Sequence, residues 1–209
     1  VTGLLETVLV TEGRIRLLER HLERLARSGA PPDAVLEARA AFLAAAAAAT
    51  GPIVLRVDVS DDRVQLAARA PRGAAPVGLQ EVPGYDPARR DREAKRADRD
   101  WAIAAEAALA PGEEALLVSG DGLVGETTRA NVFAVIDGVL VTPPARGLLA
   151  GVTRGWVIER TGAREREITA RALATADAAF LTTAGRGVVP VRGRSSTLVE
   201  ELAREWLAL

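Results

Sequence analysis

The chain has 209 residues, with 27 Lys and Arg against 28 Asp and Glu. A formal net charge of −1 offers no cationic footprint for nucleic acid or an anionic membrane. The absence of cysteine excludes disulfides, thiolate nucleophiles and cysteine metal sites, and His21 as the sole imidazole argues against a His-rich metal centre or a Ser-His-Asp triad. A 48% hydrophobic and 26% charged composition describes an ordinary globular chain, long enough for one domain or two small ones, with no apolar run of membrane-spanning length.

In chain order, LLETVLV (4–10) is β-rich, and TEGR turns it back into a short strand, IRLL. LLERHLERLARSG then places Leu18, Leu22, Leu25 and Ala26 at helical spacing and stops at Gly29. PPDAVLEARAAFLAAAAAAT is a second helix, with Pro at its start and Gly51 after its end. PIVLRVDVS, a turn at Asp61-Asp62 and RVQLAARA predict a hairpin, followed by a strand near GLQEV. The Pro-, Gly- and charge-rich segment 82–94 predicts a linker between a small domain, 1–81, and a larger one, 95–209.

Beyond it, DRDWAIAAEAALA predicts a helix ended by Pro111-Gly112. EEALLVSG, LVGETT, NVFAVID and VLVTPP follow as short strands, the last two joined by an Asp-Gly turn. GVTRGWVIERTG is a helix opening on Gly151, and a helix around TARALATA precedes the apolar strand DAAFLTTA. VVPVRG leads to a closing amphipathic helix capped by Ser195 or Ser196. Short strands mixed irregularly with helices indicate an α+β fold. With no signal peptide visible, although the chain begins at Val1 rather than Met, a cytoplasmic location is the default expectation.

Lys95 is the single lysine among 26 arginines. Arginine serves surface charge and ion pairing at least as well, whereas an amine can lose its proton and attack a carbonyl. Compositional bias toward Arg is the competing explanation. Three further features carry chemical potential. Glu126 lies between two strands in GETTRANVF. Gly151, Val152 and Thr153 stand at a helix N-terminus suited to a phosphate, and FLTTAGRG ends an apolar strand with Thr182, Thr183 and Ala184. Each has a plain alternative: a surface acid, a helix cap, a strand end. Together, an amine, an acid and two anion-binding turns are the parts of a pyridoxal 5'-phosphate (PLP) site.

The run GLVGETTRANVFAVIDGVLVTPP…GLLAGVTR resembles the signature of class IV aminotransferases, the fold-type IV PLP enzymes. LLETVLVTEGRIRLLERHLERLARSG is similar to the family's N-terminal strand-turn-helix, and ADAAFLTTAGRGVVPV to its closing phosphate-side strand, so the likeness covers nearly the whole chain. It implies a two-lobed fold, with a small N-terminal α/β lobe and a larger C-terminal lobe of mixed sheet or pseudo-barrel form. It also implies PLP as cofactor, a small amino-bearing substrate and a homodimer, with no metal, nucleic acid or membrane partner. Carried over by position, Lys95 matches the cofactor-bearing lysine and Glu126 the carboxylate that pairs with the pyridine nitrogen. Arg24 matches the phosphate-binding arginine of the first helix, Val152 and Thr153 the helix N-terminal phosphate contacts, and Thr183 and Ala184 the second phosphate turn. Asn131 matches the motif's asparagine, expected to support the turn that carries Glu126, and His21 is expected as a helix-face residue rather than an acid or base.

Branched-chain aminotransferases of the family place a tyrosine five residues after the lysine; here that position is Asp100, with Arg99 before it. KRADR instead resembles the K-x-x-x-R pattern of aminodeoxychorismate lyases. Leu9 stands where many relatives have Arg, Thr183-Ala184 lacks the hydroxyl-rich turn of the D-amino acid enzymes, and set against longer members the chain is expected to lack roughly their first strand. The resemblance therefore implies a 4-amino-4-deoxychorismate lyase forming 4-aminobenzoate and pyruvate in the folate pathway. Transamination of branched-chain or D-amino acids is the alternative, and a non-catalytic PLP-binding relative a lesser one.

Overall fold

The alternation of apolar residues builds the first sheet. In the computed structural model, which describes residues 3–60 and 63–209, strand β1 (Leu4–Thr11) pairs antiparallel with β2 (Arg14–Ile15) and β3 (Ile53–Ser60), and β3 pairs with β4 (Arg63–Arg69). The Asp61-Asp62 turn lies outside the described residues. Glu12 and Gly13 join β1 to β2 with φ of 53° and 71°, the two left-handed residues that a tight hairpin demands. Leu17 is also left-handed, at φ 51°, which ends the expected IRLL strand at Ile15 and turns the chain into helix α1 (Leu18–Arg27). Helix α2 (Pro32–Ala48) follows. Leu22, Leu25, Ala38 and Phe42 from these helices pack with Leu4, Val8, Val10, Leu55 and Val57 in one apolar core.

The second sheet is built from β5 (Gly78–Pro83), β6 (Glu113–Val118), β7 (Val124–Thr127), β8 (Asn131–Ile136), β9 (Val139–Thr142) and β10 (Arg164–Glu165), with β11 (Ala178–Thr183) and β12 (Gly187–Pro190) joined through β8. β5 pairs parallel with β6 and runs to Pro83, into the segment read as a linker. A parallel bridge between Val77 and Val191 connects the start of β5 to the end of β12, curling the sheet into a closed circuit through β6, β7, β8 and β11. Asp137 and Gly138, with φ of 52° and 72°, form the expected Asp-Gly turn between β8 and β9.

Helix α3 (Asp100–Glu106) is shorter than the sequence predicts, since residues 107–110 leave the helix before Pro111. Helices α4 (Val152–Thr161), α5 (Ala170–Ala174) and α6 (Thr197–Ala208) complete the chain. Ser196 occupies the N-cap of α6, but its side chain makes no capping bond; the dihedrals place it in extended backbone and its hydroxyl is buried. No helix among the described residues is long and apolar enough to cross a membrane.

The chain forms two compact units. One comprises Val1–Gly73, Ala94–Arg99 and Ala184–Arg186; the other comprises Ala74–Glu93, Asp100–Thr183 and Gly187–Leu209. Lys95 and Ala184 therefore belong to the first unit, and Glu126, Val152, Thr153 and Thr183 to the second.

Candidate active site

In the first unit, the segment carrying Lys95 is pinned along the beginning of β1. Leu5 N–H donates to the Lys95 carbonyl at 2.8 Å, Ala97 N–H to the Gly3 carbonyl at 2.8 Å, and Leu4 bridges Arg96 antiparallel. This backbone pairing delivers the amine to Glu6, and Lys95 Nζ donates to Glu6 Oε1 at 3.3 Å. Glu6 is fully buried in a row with Leu4, Val8 and Val10, a place that a carboxylate tolerates only when paired.

Its other partners come from α1, where residues three apart share a face. Arg24 donates from Nε to Glu6 Oε2 at 2.9 Å and from Nη2 to Oε1 at 2.6 Å, and His21 Nδ1 lies 3.0 Å from Oε1. Burial pushes the Glu6 carboxyl up, but Lys95 and Arg24, with the bond from His21, more than offset this and hold it well below the usual carboxylate range. Burial pushes the His21 imidazole down against the pull of Glu6, so the ring is neutral and donates through Nδ1. Lys95 is pushed down to about 8, first by burial and then by the Arg24 guanidinium, with Glu6 resisting.

His21, on the buried face of α1, thus lies inside the charge cluster. Arg24, expected at a phosphate, has Glu6 as its carboxylate partner. Glu6 itself escaped the reading of the sequence. Its signal was a lone acid on the apolar alternation of β1, combined with His21 and Arg24 three apart on the buried stripe of α1.

In the second unit, antiparallel register aligns Glu126 on β7 with Asn131 on β8, and Asn131 with Thr182 on β11. Paired residues share a face, so these three polar side chains form one row opposite the apolar cluster of Leu116, Val132, Ala134, Ala179 and Leu181. Glu126 is buried; Asn131 Nδ2 donates to its Oε2 at 3.1 Å and Leu149 N–H approaches its Oε1 at 3.4 Å. The β7–β8 turn is held by Thr127, whose Oγ1 accepts from Ala130 N–H at 2.9 Å and Arg129 N–H at 3.2 Å.

Val152 and Thr153 open α4, both buried. Thr153 Oγ1 has no hydrogen-bond partner although it lies at the positive end of a ten-residue helix. Thr182 Oγ1 is likewise buried and without a partner, whereas Thr183, half-buried, pairs with Gly187 on β12. Thr182 rather than Thr183 is therefore the orphaned hydroxyl of the TTAG turn. Alternation of the strand decides which threonine faces the Glu126 row, and this was readable in principle from the apolar phase of AAFLTT.

The sequence profile of the amino-transferase class IV family matches residues 3–193. The chain belongs to the class IV aminotransferases. It is similar to the branched-chain-amino-acid aminotransferase of Pseudomonas aeruginosa, with 29% identity over 122 residues, a match spanning 51% of this chain and 40% of that relative's length. The fold IV-transaminase from Curtobacterium pusillum superposes with a TM-score of 0.86 at 25% identity, covering 100% of this chain and 87% of the other. The 4-amino-4-deoxychorismate lyase from Pseudomonas aeruginosa superposes with a TM-score of 0.76 at 26% identity, covering 98% and 89%.

Class IV aminotransferases are enzymes that use PLP, and the fold is fold-type IV. The residues of this chain fit that cofactor. An amine of lowered pKa suits its aldehyde, a buried carboxylate suits its ring nitrogen, and the orphaned Thr153 hydroxyl at a helix N-terminus suits its phosphate.

Proposed function

We propose that Lys95 is the catalytic amine of a PLP-dependent enzyme whose reaction is the release of pyruvate from 4-amino-4-deoxychorismate, leaving 4-aminobenzoate. The observation that carries the catalytic reading is the Lys95 amine itself, pushed down to about 8 while held against Glu6. At neutral pH about a tenth of such an amine is unprotonated, against well under a thousandth for an ordinary lysine. The bound cofactor would supply an aldehyde for condensation with amines and a ring that accepts an electron pair.

Everything else falls to the chain. Lys95 Nζ would hold the cofactor and, as a free base, would accept and return protons. Glu6 limits how far its amine is depleted of charge and fixes its direction. In the second unit Glu126, bonded by Asn131, would face the pyridine nitrogen, and Thr153, Val152 N–H and the strand end at Thr183 would offer donors to the phosphate; in the first unit Arg24 and Ala184 carry the same expectation. The lyase assignment is supported by Arg99 four residues after Lys95 and by Asp100 at the position where branched-chain enzymes carry tyrosine. It is also supported by the superposition on the Pseudomonas lyase.

A second reading, transamination of a branched-chain or D-amino acid, is favoured by the sequence match to the branched-chain aminotransferase. One assay separates them: pyruvate and 4-aminobenzoate formed from aminodeoxychorismate support the lyase, while 2-oxo acid formed from L-leucine or D-alanine with no pyruvate from aminodeoxychorismate overturns it. Lys95→Arg keeps the charge and loses the nucleophile. It is expected to abolish both the cofactor's visible absorbance on the protein and turnover, with an unchanged circular dichroism spectrum; full activity in that variant would sink the catalytic assignment. The reading includes a homodimer, which light scattering on the purified protein tests.

A further inference from the structure

One buried amide in the second unit touches each segment that frames Glu126. Asn131 opens β8, and its Nδ2 donates both to Glu126 Oε2 at 3.1 Å and to the Leu149 carbonyl at 2.8 Å. Both partners are acceptors, so the chemistry fixes the amide's orientation: the NH2 faces them and Oδ1 faces away. On the Oδ1 side lies Gly151, the N-cap of α4, where an added Cβ would overlap Asn131 Oδ1. Leu149 N–H in turn approaches Glu126 Oε1 at 3.4 Å, so acid, amide and loop backbone form a closed ring of hydrogen bonds. Register places Thr182 on the other side of Asn131.

We propose that Asn131 is the positioning residue of Glu126, holding its carboxylate in one orientation and tying that orientation to the N-terminus of α4, where Thr153 waits for an anion. The proposal rests on the reading of Glu126 as the acid opposite the pyridine nitrogen. Only a side chain with two donors can serve Glu126 and Leu149 together. Asp at this position has none at neutral pH, and Ala removes both donations. The absence of a side chain at residue 151 is the other half of the device. Its φ of −64° and ψ of 140° suit any residue, so the space taken by Oδ1, rather than backbone conformation, explains glycine there.

The test compares Asn131→Asp, Gly151→Ala and Glu126→Gln with the wild type, each stripped and reloaded with PLP. The readouts are the PLP dissociation constant, the pH midpoint of the bound cofactor's visible absorbance, and the thermal melt. Asn131→Asp sets a carboxylate against Glu126 Oε2. The pair then competes for one proton, weakening PLP on the order of tenfold or more and moving the pH midpoint by at least about one unit. Gly151→Ala, which pushes on the amide without changing any polar group, shifts both readouts in the same direction by less.

A merely structural role would lower the melting temperature and leave the pH midpoint of the folded protein untouched. That result in both variants, alongside a changed Glu126→Gln, overturns the positioning role while sparing the acid assignment. If Asn131→Asp fails to fold, Gly151→Ala decides by the same criterion. Wild-type readouts in Glu126→Gln overturn the acid assignment, and the positioning role falls with it.

Discussion

At the scale of the residue, Lys95 shows how one side chain can be conspicuous in sequence while its chemistry is set elsewhere. Being the only lysine marked it out, but its amine is tuned by burial and by Glu6 and Arg24, which lie more than seventy positions upstream. Removing the carboxylate leaves Arg24 and Lys95 buried together without their shared anion. Glu6→Gln is therefore expected to cost about 3–5 kcal/mol in urea denaturation and to move the Lys95 amine below about 8, since burial continues to push it down and the opposing charge is gone. The rate at which apoprotein takes up PLP, followed by absorbance against pH, reads that amine directly. It should level off above about pH 8 in the wild type and at lower pH in the variant. Glu126 and Thr153 were likewise visible as residue types in a motif, whereas the burial that makes their polar atoms demanding was not. No count of residues reports whether a hydroxyl finds a partner.

At the scale of the element, hairpins were the most readable parts, because the turn residues carry their own conformational reason. Asp137-Gly138 and Glu12-Gly13 adopt the left-handed pair that the flanking strands require. The IRLL strand failed at Leu17, a left-handed leucine that local propensity does not anticipate; packing of Leu18, Leu22 and Leu25 outweighs the cost of that one residue. The turn behind Glu126 depends on a hydroxyl in the same way. Thr127 Oγ1 serves two backbone N–H groups and donates to Glu114 Oε2 at 3.0 Å. Thr127→Val keeps the shape and strips that acceptor, so stability should fall by about 1–3 kcal/mol and PLP affinity should drop with it as the β7–β8 turn loosens. Equilibrium dialysis against PLP and a urea titration of the same sample check both. An unchanged affinity would show that β8 pairing, rather than the turn, fixes Glu126.

At the scale of the whole molecule, the buried charge cluster writes itself into the pH dependence of folding. His21 and Lys95 have folded pKa values below their ordinary ones because burial disfavours their charge, and Glu6 lies below its own because its cationic partners overcome burial. Each group binds fewer protons folded than unfolded within its own window, so stability rises with pH there. The Glu6 contribution is lost as pH falls through its folded value, well under 4.5, and the His21 penalty grows as pH falls below 6.5. On the alkaline side stability increases between about 8 and 10.5, by on the order of 3 kcal/mol for Lys95. Urea titrations from pH 4 to about 10 check this, and the alkaline rise should vanish in Lys95→Met. A flat alkaline limb in the wild type would contradict the depressed amine. Composition, turn chemistry and the long class IV motif were enough to settle the family and the order of most strands and helices, and to single out Lys95, Glu126 and Thr153 as candidates. These depend on local propensity and on residues close in the chain. Glu6, the row of Glu126, Asn131 and Thr182, and the closure of the sheet through Val77 and Val191 depend on strand register and on which groups lose water together. Those are long-range properties, and only folding brings their members into contact.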